Sequence, residues 1–202
     1  MIDQESFDGS RVQANIDDAC DFEPELTYLS LIAKANDGFV VVNGSDWGLP
    51  AFDDTQITQI LMVFNEVVDD YATTNSATMR MAVTSALAGM WAPCSGVMNC
   101  PFDQHVVGPA RIIFHVHAPG WGFEEARIKF KTEGAEALFC GLDWLDLHGQ
   151  SAKPFSFQIG VQKVKKRVKH QFALFIEASQ NAGQQVTRLI IDPEVDVDVG
   201  PS

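Results

Sequence analysis

Three groups of side chains carry residue types that do chemistry in other settings. His115-Val116-His117 places two imidazoles two positions apart. On a strand they share one face, ~6.5–7 Å apart along it, which is the start of a metal site. A metal-dependent enzyme built on them needs a third ligand on that face, and His105, Cys140, Asp143, Asp146 and His148 have suitable donors. The competing reading is a pair of half-exposed histidines on the outer face of a sheet, favoured because Arg111 shares that face. Cys94-Ser-Gly-Val-Met-Asn-Cys100 with His105 nearby has the ingredients of half a zinc site. Its gap exceeds the two to four residues usual between paired structural cysteines, and no second pair follows. Asp143-Trp-Leu-Asp146-Leu-His148 offers two carboxylates and a base, but its apolar residues suit an ordinary amphipathic turn. The chain has no G-x-S-x-G elbow, phosphate-binding loop, dinucleotide fingerprint or H-E-x-x-H helix, so the common enzyme classes find no foothold and the cofactor is unknown.

Charged and aromatic residues suggest recognition instead. The run Lys163-Val-Lys165-Lys166-Arg167-Val-Lys169-His170 holds five of the 14 Lys and Arg residues. Strand alternation puts Lys165, Arg167 and Lys169 on one face, and Glu194, Asp196 and Asp198 share a face of the last strand. Antiparallel pairing of the two would bring opposite charges together, at ~0.2–1 kcal/mol per pair. The alternative is an interaction site for an acidic partner, such as the N-terminal third of a second copy. Asp192, Asp196 and Asp198 have the oxygens calcium needs, but Pro193 and the strict alternation do not resemble a ligand-wrapping loop. Asp46, Asp53 and Asp54 raise the same question, partly answered by a capping role for Asp53. Trp121, in the Gly-flanked turn Pro119-Gly120-Trp121-Gly122, and Phe123 are the candidate interaction anchors. A lid over the end of a sheet is the alternative for that tryptophan.

The elements that position these residues change character along the chain. Residues 1–25 are polar and acidic with no clear period. Leu26–Ala35 suits either a short helix or a strand, and Gly38–Val42 reads as a buried strand entering the Asn43-Gly44 turn. Asp53 with Gln56 forms a capping box, and Ile57, Ile60, Leu61, Phe64, Val67, Val68 and Tyr71 recur at helical spacing, predicting a helix over 54–72. A second helix fits Ser76 to Trp91, capped by Ser76, with Met79, Val83, Leu87 and Met90 as a core stripe. From Pro109 the period becomes two. Ala110, Ile112, Phe114 and Val116 take one face of a strand, and Arg111, Ile113, His115 and His117 the other. Further strands are expected at 126–131, 137–142, 155–161, 164–177, 186–191 and 195–199. Turns fall at Pro119-Gly120, Glu133-Gly134, His148-Gly149 and Asn181-Ala182-Gly183.

The 202 residues are 46% hydrophobic, enough to bury a real core. The expected fold is α+β: an acidic N-terminal segment containing two amphipathic helices, on an antiparallel β-sandwich-like C-terminal half. One compact domain over 1–202 is expected, with a possible subdivision into 1–106 and 107–202. The net charge of −13 sits entirely in residues 1–70, which hold 15 Asp and Glu against Arg11 and Lys34. Such a surface repels phosphate, which excludes nucleic acid or an anionic membrane as its partner. It attracts a basic protein, whether a second copy in a homo-oligomer or a heterologous partner. Neither a membrane span nor a secretory leader is visible, so a cytoplasmic location is expected, with Cys20, Cys94, Cys100 and Cys140 as reduced thiols or at most a Cys94–Cys100 bridge. The function these readings favour is non-enzymatic binding or assembly. The alternatives are a metal-dependent enzyme and an acidic inhibitor or immunity-type protein that blocks a basic surface.

Overall fold

A computed structural model of the chain describes residues 16, 18–43, 52–90, 103–145, 155–180 and 185–199. Among them, ten strands and two α-helices form a mixed α+β fold with two multi-stranded sheets. In chain order these are β1 (Leu26–Ala35), β2 (Gly38–Asn43), α1 (Asp54–Tyr71), α2 (Ser76–Leu87), β3 (Gln104–Gly108) and β4 (Ala110–His117). Then follow β5 (Trp121–Phe130), β6 (Phe139–Trp144), β7 (Ser156–Val161), β8 (Val168–Gln180), β9 (Gln185–Ile191) and β10 (Glu194–Val199). No helix is long and apolar enough to cross a membrane among the described residues.

The first sheet runs β2-β1-β4-β7-β6 and the second β3-β10-β8-β5, with β9 also paired to β8. Two pairings, β1 with β4 and β10 with β3, are parallel, where a purely antiparallel arrangement was expected. Both sheets also draw on strands from before residue 107, so the β-layers are not confined to the C-terminal half. Alternate residues of the two sheets enclose one apolar cluster, with Ile112, Phe114, Phe157 and Phe139 from the first and Phe123, Phe130, Phe172 and Val197 from the second. Phe157 stacks on Phe114 with ring centroids 5.0 Å apart and meets Phe123 edge-on at 4.8 Å.

The opposite face of the first sheet carries the helices. Ile57, Leu61, Phe64 and Val68 of α1 and Met79, Val83 and Leu87 of α2 bury against Leu29, Leu31, Val40, Val42 and Ile113. This three-layer order explains why Leu26–Ala35 was ambiguous: β1 is buried on both faces, so it shows a continuous apolar run rather than alternation. The Asp53 and Gln56 capping box starts α1 as expected. For α2 the cap is Asn75, whose side chain accepts from Thr78 N, and Ser76 is the first helical residue. Ser76 instead donates from its backbone N and its hydroxyl to Asp37, each at 2.7 Å, tying the β1–β2 turn to the helix linker. The hydroxyl contact, then the backbone one, holds the Asp37 carboxyl below its ordinary range.

β8, β9 and β10 form one long hairpin. Leu174 faces Ile191 and Gln171 faces Glu194, so the register passes Asp192-Pro193 with no residue gained or lost. Pro193 has no N–H to give, but its carbonyl still accepts from Phe172 N at 3.1 Å.

Candidate functional site

The polar residues singled out on β4 lie beneath α1. Strand alternation puts Arg111, His115 and His117 on one face, as expected, but that face is covered by α1, so the favoured reading of two half-exposed histidines on an outer sheet face is corrected for His115, which is fully buried. From Arg111 to His117 the strand rises about 20 Å, and from Asp54 to Asp69 the helix rises about 22 Å. The two runs therefore match, and three contacts join them. Arg111 Nη2 donates to Asp54 Oδ1 at 3.0 Å, His115 Nε2 meets Asn65 Oδ1 at 2.9 Å, and His117 Nε2 meets Asp69 Oδ1 at 2.9 Å. Asn65 and Asp69 continue the i, i+4 row of Ile57 and Leu61, the signal that could have placed them over the sheet.

His115 is fully buried, its Nδ1 hydrogen-bonded to the equally buried Ser156 Oγ. With Asn65 presenting an oxygen, the ring proton lies on Nε2 and Nδ1 accepts from the serine hydroxyl. A hydroxyl beside an imidazole is the ingredient list of a nucleophile and its base. Here neither atom is open to a substrate, and the arrangement holds helix to sheet. The rings of His115 and His117 lie nearly parallel, centroids 6.4 Å apart. Of the proposed third metal ligands, Asp143 lies on β6, beyond β7 from the histidines. His105 is on β3 in the other sheet, Cys140 is bonded elsewhere, and Asp146 and His148 fall outside the described residues. Among the described residues, no three of His, Cys, Asp and Glu gather as a metal-binding group.

Beyond the helices, residues 18–25 lie along the same face near β6. Cys20 is bonded to Cys140, 120 residues away in sequence, with Cα atoms 5.1 Å apart. The expectation of reduced thiols is therefore corrected for this pair; Cys94 and Cys100 lie outside the described residues. Sequence spacing gives no sign of the bridge, because only the sheet brings the two together. The bridge lies against bare backbone: a side chain at Gly160 would collide with the Cys20 sulfur. Gly141 takes a left-handed φ of 58° and donates its N–H to Asp18 O at 2.6 Å. Between residues 19–24 and the sheet is a cleft of about 410 Å³, lined by Phe22, Glu23, Arg111, Asp143, Gln158 and Gly160 among others. Its size falls in the range of small-ligand sites.

The basic run meets the last strand within the chain. Arg167 hydrogen-bonds both oxygens of Asp196, and Lys169 Nζ lies 2.6 Å from Glu194 and 3.7 Å from Asp196. Arg167 precedes β8 rather than lying in it, and Lys165 occupies the exposed approach to that strand. The Arg167 hydrogen bond is the main cause holding the Asp196 carboxyl below its ordinary range; the same contact raises Arg167, and Glu194 raises Lys169. Trp121 is half-buried, edge-on to Phe39 at 5.2 Å. Phe123 is corrected as a surface anchor: it is 2% exposed and belongs to the inter-sheet core, because the β5 alternation turns it inward.

One polar cluster went unnoticed in the sequence. Ser30, Asn43 and Gln104 are fully buried, and Asn43 Oδ1 accepts from the Ser30 hydroxyl and the Gln104 amide, each at 2.9 Å. It links β1 and β2 of the first sheet to β3 of the second. In sequence these are single polar residues inside apolar strands, 61 residues separating Asn43 from Gln104. Tyr28 adds a second link, its hydroxyl accepting from Val107 N at 3.0 Å. No protein-family model matches the chain, and a search of curated proteins finds no match in sequence.

Proposed function

We propose that the chain is a non-enzymatic binding or assembly protein whose acidic N-terminal surface docks on a basic protein. The observation that supports this is how the two signs of charge are distributed. Five basic side chains on or beside the strands are engaged internally: Arg111 with Asp54, Lys131 with Asp192, Arg167 with Asp196, Lys169 with Glu194 and Arg188 with Glu124. By contrast, Asp18, Asp21, Glu23 and Glu25 on the N-terminal segment and Glu66 and Asp70 on α1 are exposed carboxylates. Unmatched charge of one sign raises encounter rates with a surface of the other sign and selects among partners more than it adds affinity. Lys163, Lys165 and Lys166, exposed before β8, make a second copy the partner we favour.

The test is sedimentation velocity on the full chain at low and moderate salt, beside a variant carrying Asp18→Asn, Asp21→Asn, Glu25→Gln and Glu66→Gln. Association that weakens with salt and is lost in the variant is expected. Association unchanged in the variant refutes the acidic surface as its cause. A monomer at every salt concentration refutes self-assembly and shifts the reading to a heterologous basic partner, the surface an acidic inhibitor would also use.

A further inference from the structure

We propose that the cleft between residues 19–24 and the first sheet binds the ammonium group of a small organic cation. The lining sets two carboxylates and a buried amide oxygen against one guanidinium. Gln158 Oε1 is buried with no hydrogen-bond partner. Glu23 and Asp143 have no Lys or Arg within ion-pairing distance among the described residues, and Asp143 is the cross-strand neighbour of Gln158. The one cation of the lining, Arg111, is held by Asp54 Oδ1 at 3.0 Å and Thr27 Oγ1 at 3.3 Å. That ion pair leaves the two rim carboxylates as the uncompensated charge. Anions are therefore disfavoured, whereas a primary ammonium brings three donors and the compensating charge. The terminal torsion of glutamine is broad, so the Gln158 amide turns its oxygen toward such a donor at little cost. Phe22 supplies an aromatic wall, a surface that organic cations favour. The bare backbone of Gly160, which cannot carry a side chain beneath the disulfide, keeps the floor open.

The cleft shares Glu23 with the proposed docking surface, but the variants that test it, Gln158→Leu and Asp143→Asn, leave Asp18, Asp21, Glu23, Glu25 and Glu66 in place, so each reading fails on its own. The experiment is isothermal titration of the full, oxidised chain with butylammonium, with tetramethylammonium as a probe of equal charge and no N–H. Saturable one-site binding of butylammonium is expected, with tetramethylammonium about tenfold weaker or more. Gln158→Leu is expected to weaken butylammonium about tenfold, and Asp143→Asn about threefold, since the first removes an acceptor from a charged donor and the second a solvated charge. Gln158→Leu removes a buried oxygen that has no partner, so the urea midpoint of the free protein holds or rises, separating lost binding from lost folding. Absence of saturable binding, equal binding of the two cations, or butylammonium affinity unchanged by Gln158→Leu would each overturn the proposal.

Discussion

Breaking the Cys20–Cys140 bridge tests how much that bond contributes to the stability of the fold. The bond closes a loop spanning 120 residues, more than half of the chain. Chain-entropy arithmetic for a loop of that size gives ~5 kcal/mol of stabilisation through the unfolded state, within an observed range of about 0–5. The folded side changes less. Ile16 stays in the inter-sheet core, Gly141 N still reaches Asp18 O, and Glu25 N still donates to Pro109 O at 3.1 Å. Reduction should thus lower global stability without first releasing Ile16 or residues 18–25. With a urea slope of about 2–3 kcal/mol/M, a loss of 3–5 kcal/mol moves the midpoint down by roughly 1–2.5 M. The assay is urea denaturation followed by far-UV circular dichroism, with and without reductant, beside the Cys20→Ser/Cys140→Ser variant. Reduced protein and variant should show the same shift. An unchanged midpoint, or Cys20 and Cys140 both alkylated in folded protein that never met a reductant, refutes the bridge as a stabilising bond. The same alkylation tests the expected cytoplasmic location, because structural disulfides persist mainly in oxidising compartments.

Two further predictions concern the polar contacts. His115→Ala removes a fully buried ring and strips the partners from Ser156 and Asn65, so it should cost about 2–4 kcal/mol, whereas His117→Ala at the exposed end should cost under about 1 kcal/mol; equal losses in thermal denaturation would refute the difference in burial. Asp196 has a folded pKa below its unfolded one, so its contribution is present above the ordinary carboxylate range and is lost as pH falls through the folded value. Asp196→Asn should therefore lower the urea midpoint at neutral pH and flatten its fall on acidification below about pH 4, and an acid limb identical to that of the parent would refute the assignment.

How much of this was legible in the sequence follows from what each segment buries. β4 was readable because its two faces differ, one apolar and one carrying Arg111 and two histidines. The capping box of α1 was readable because a cap is local, made by Asp53 and Gln56 alone. β3 was not, since Gln104–Gly108 is short and gains its place by pairing with β10, 91 residues further along in the register of Val195 with Gln104. The charge ladder was half legible: alternation showed which residues shared a face, but only a hairpin of fixed register decided that Arg167 meets Asp196. The disulfide, the Ser30–Asn43–Gln104 cluster and the cleft depend on contacts between distant segments, and no single stretch of chain contains their signal.

The histidines show why residue types alone misdirect. The interface between α1 and the sheet is otherwise Leu, Ile, Val, Phe and Ala, a surface that tolerates several placements of a helix with similar burial. The three polar contacts do not tolerate this. Sliding α1 by one turn, ~5.4 Å, would carry Asn65 away from His115 and Asp69 away from His117 together. A buried imidazole left without its acceptor costs ~1–3 kcal/mol, more than a small gain in apolar contact returns. Asp54–Arg111 adds a third constraint at the other end of the helix, although its exposed carboxylate makes it the weakest of the three. The helix is thus held in position by groups of the kind that elsewhere bind metals or move protons, and burial is the property that distinguishes the two uses.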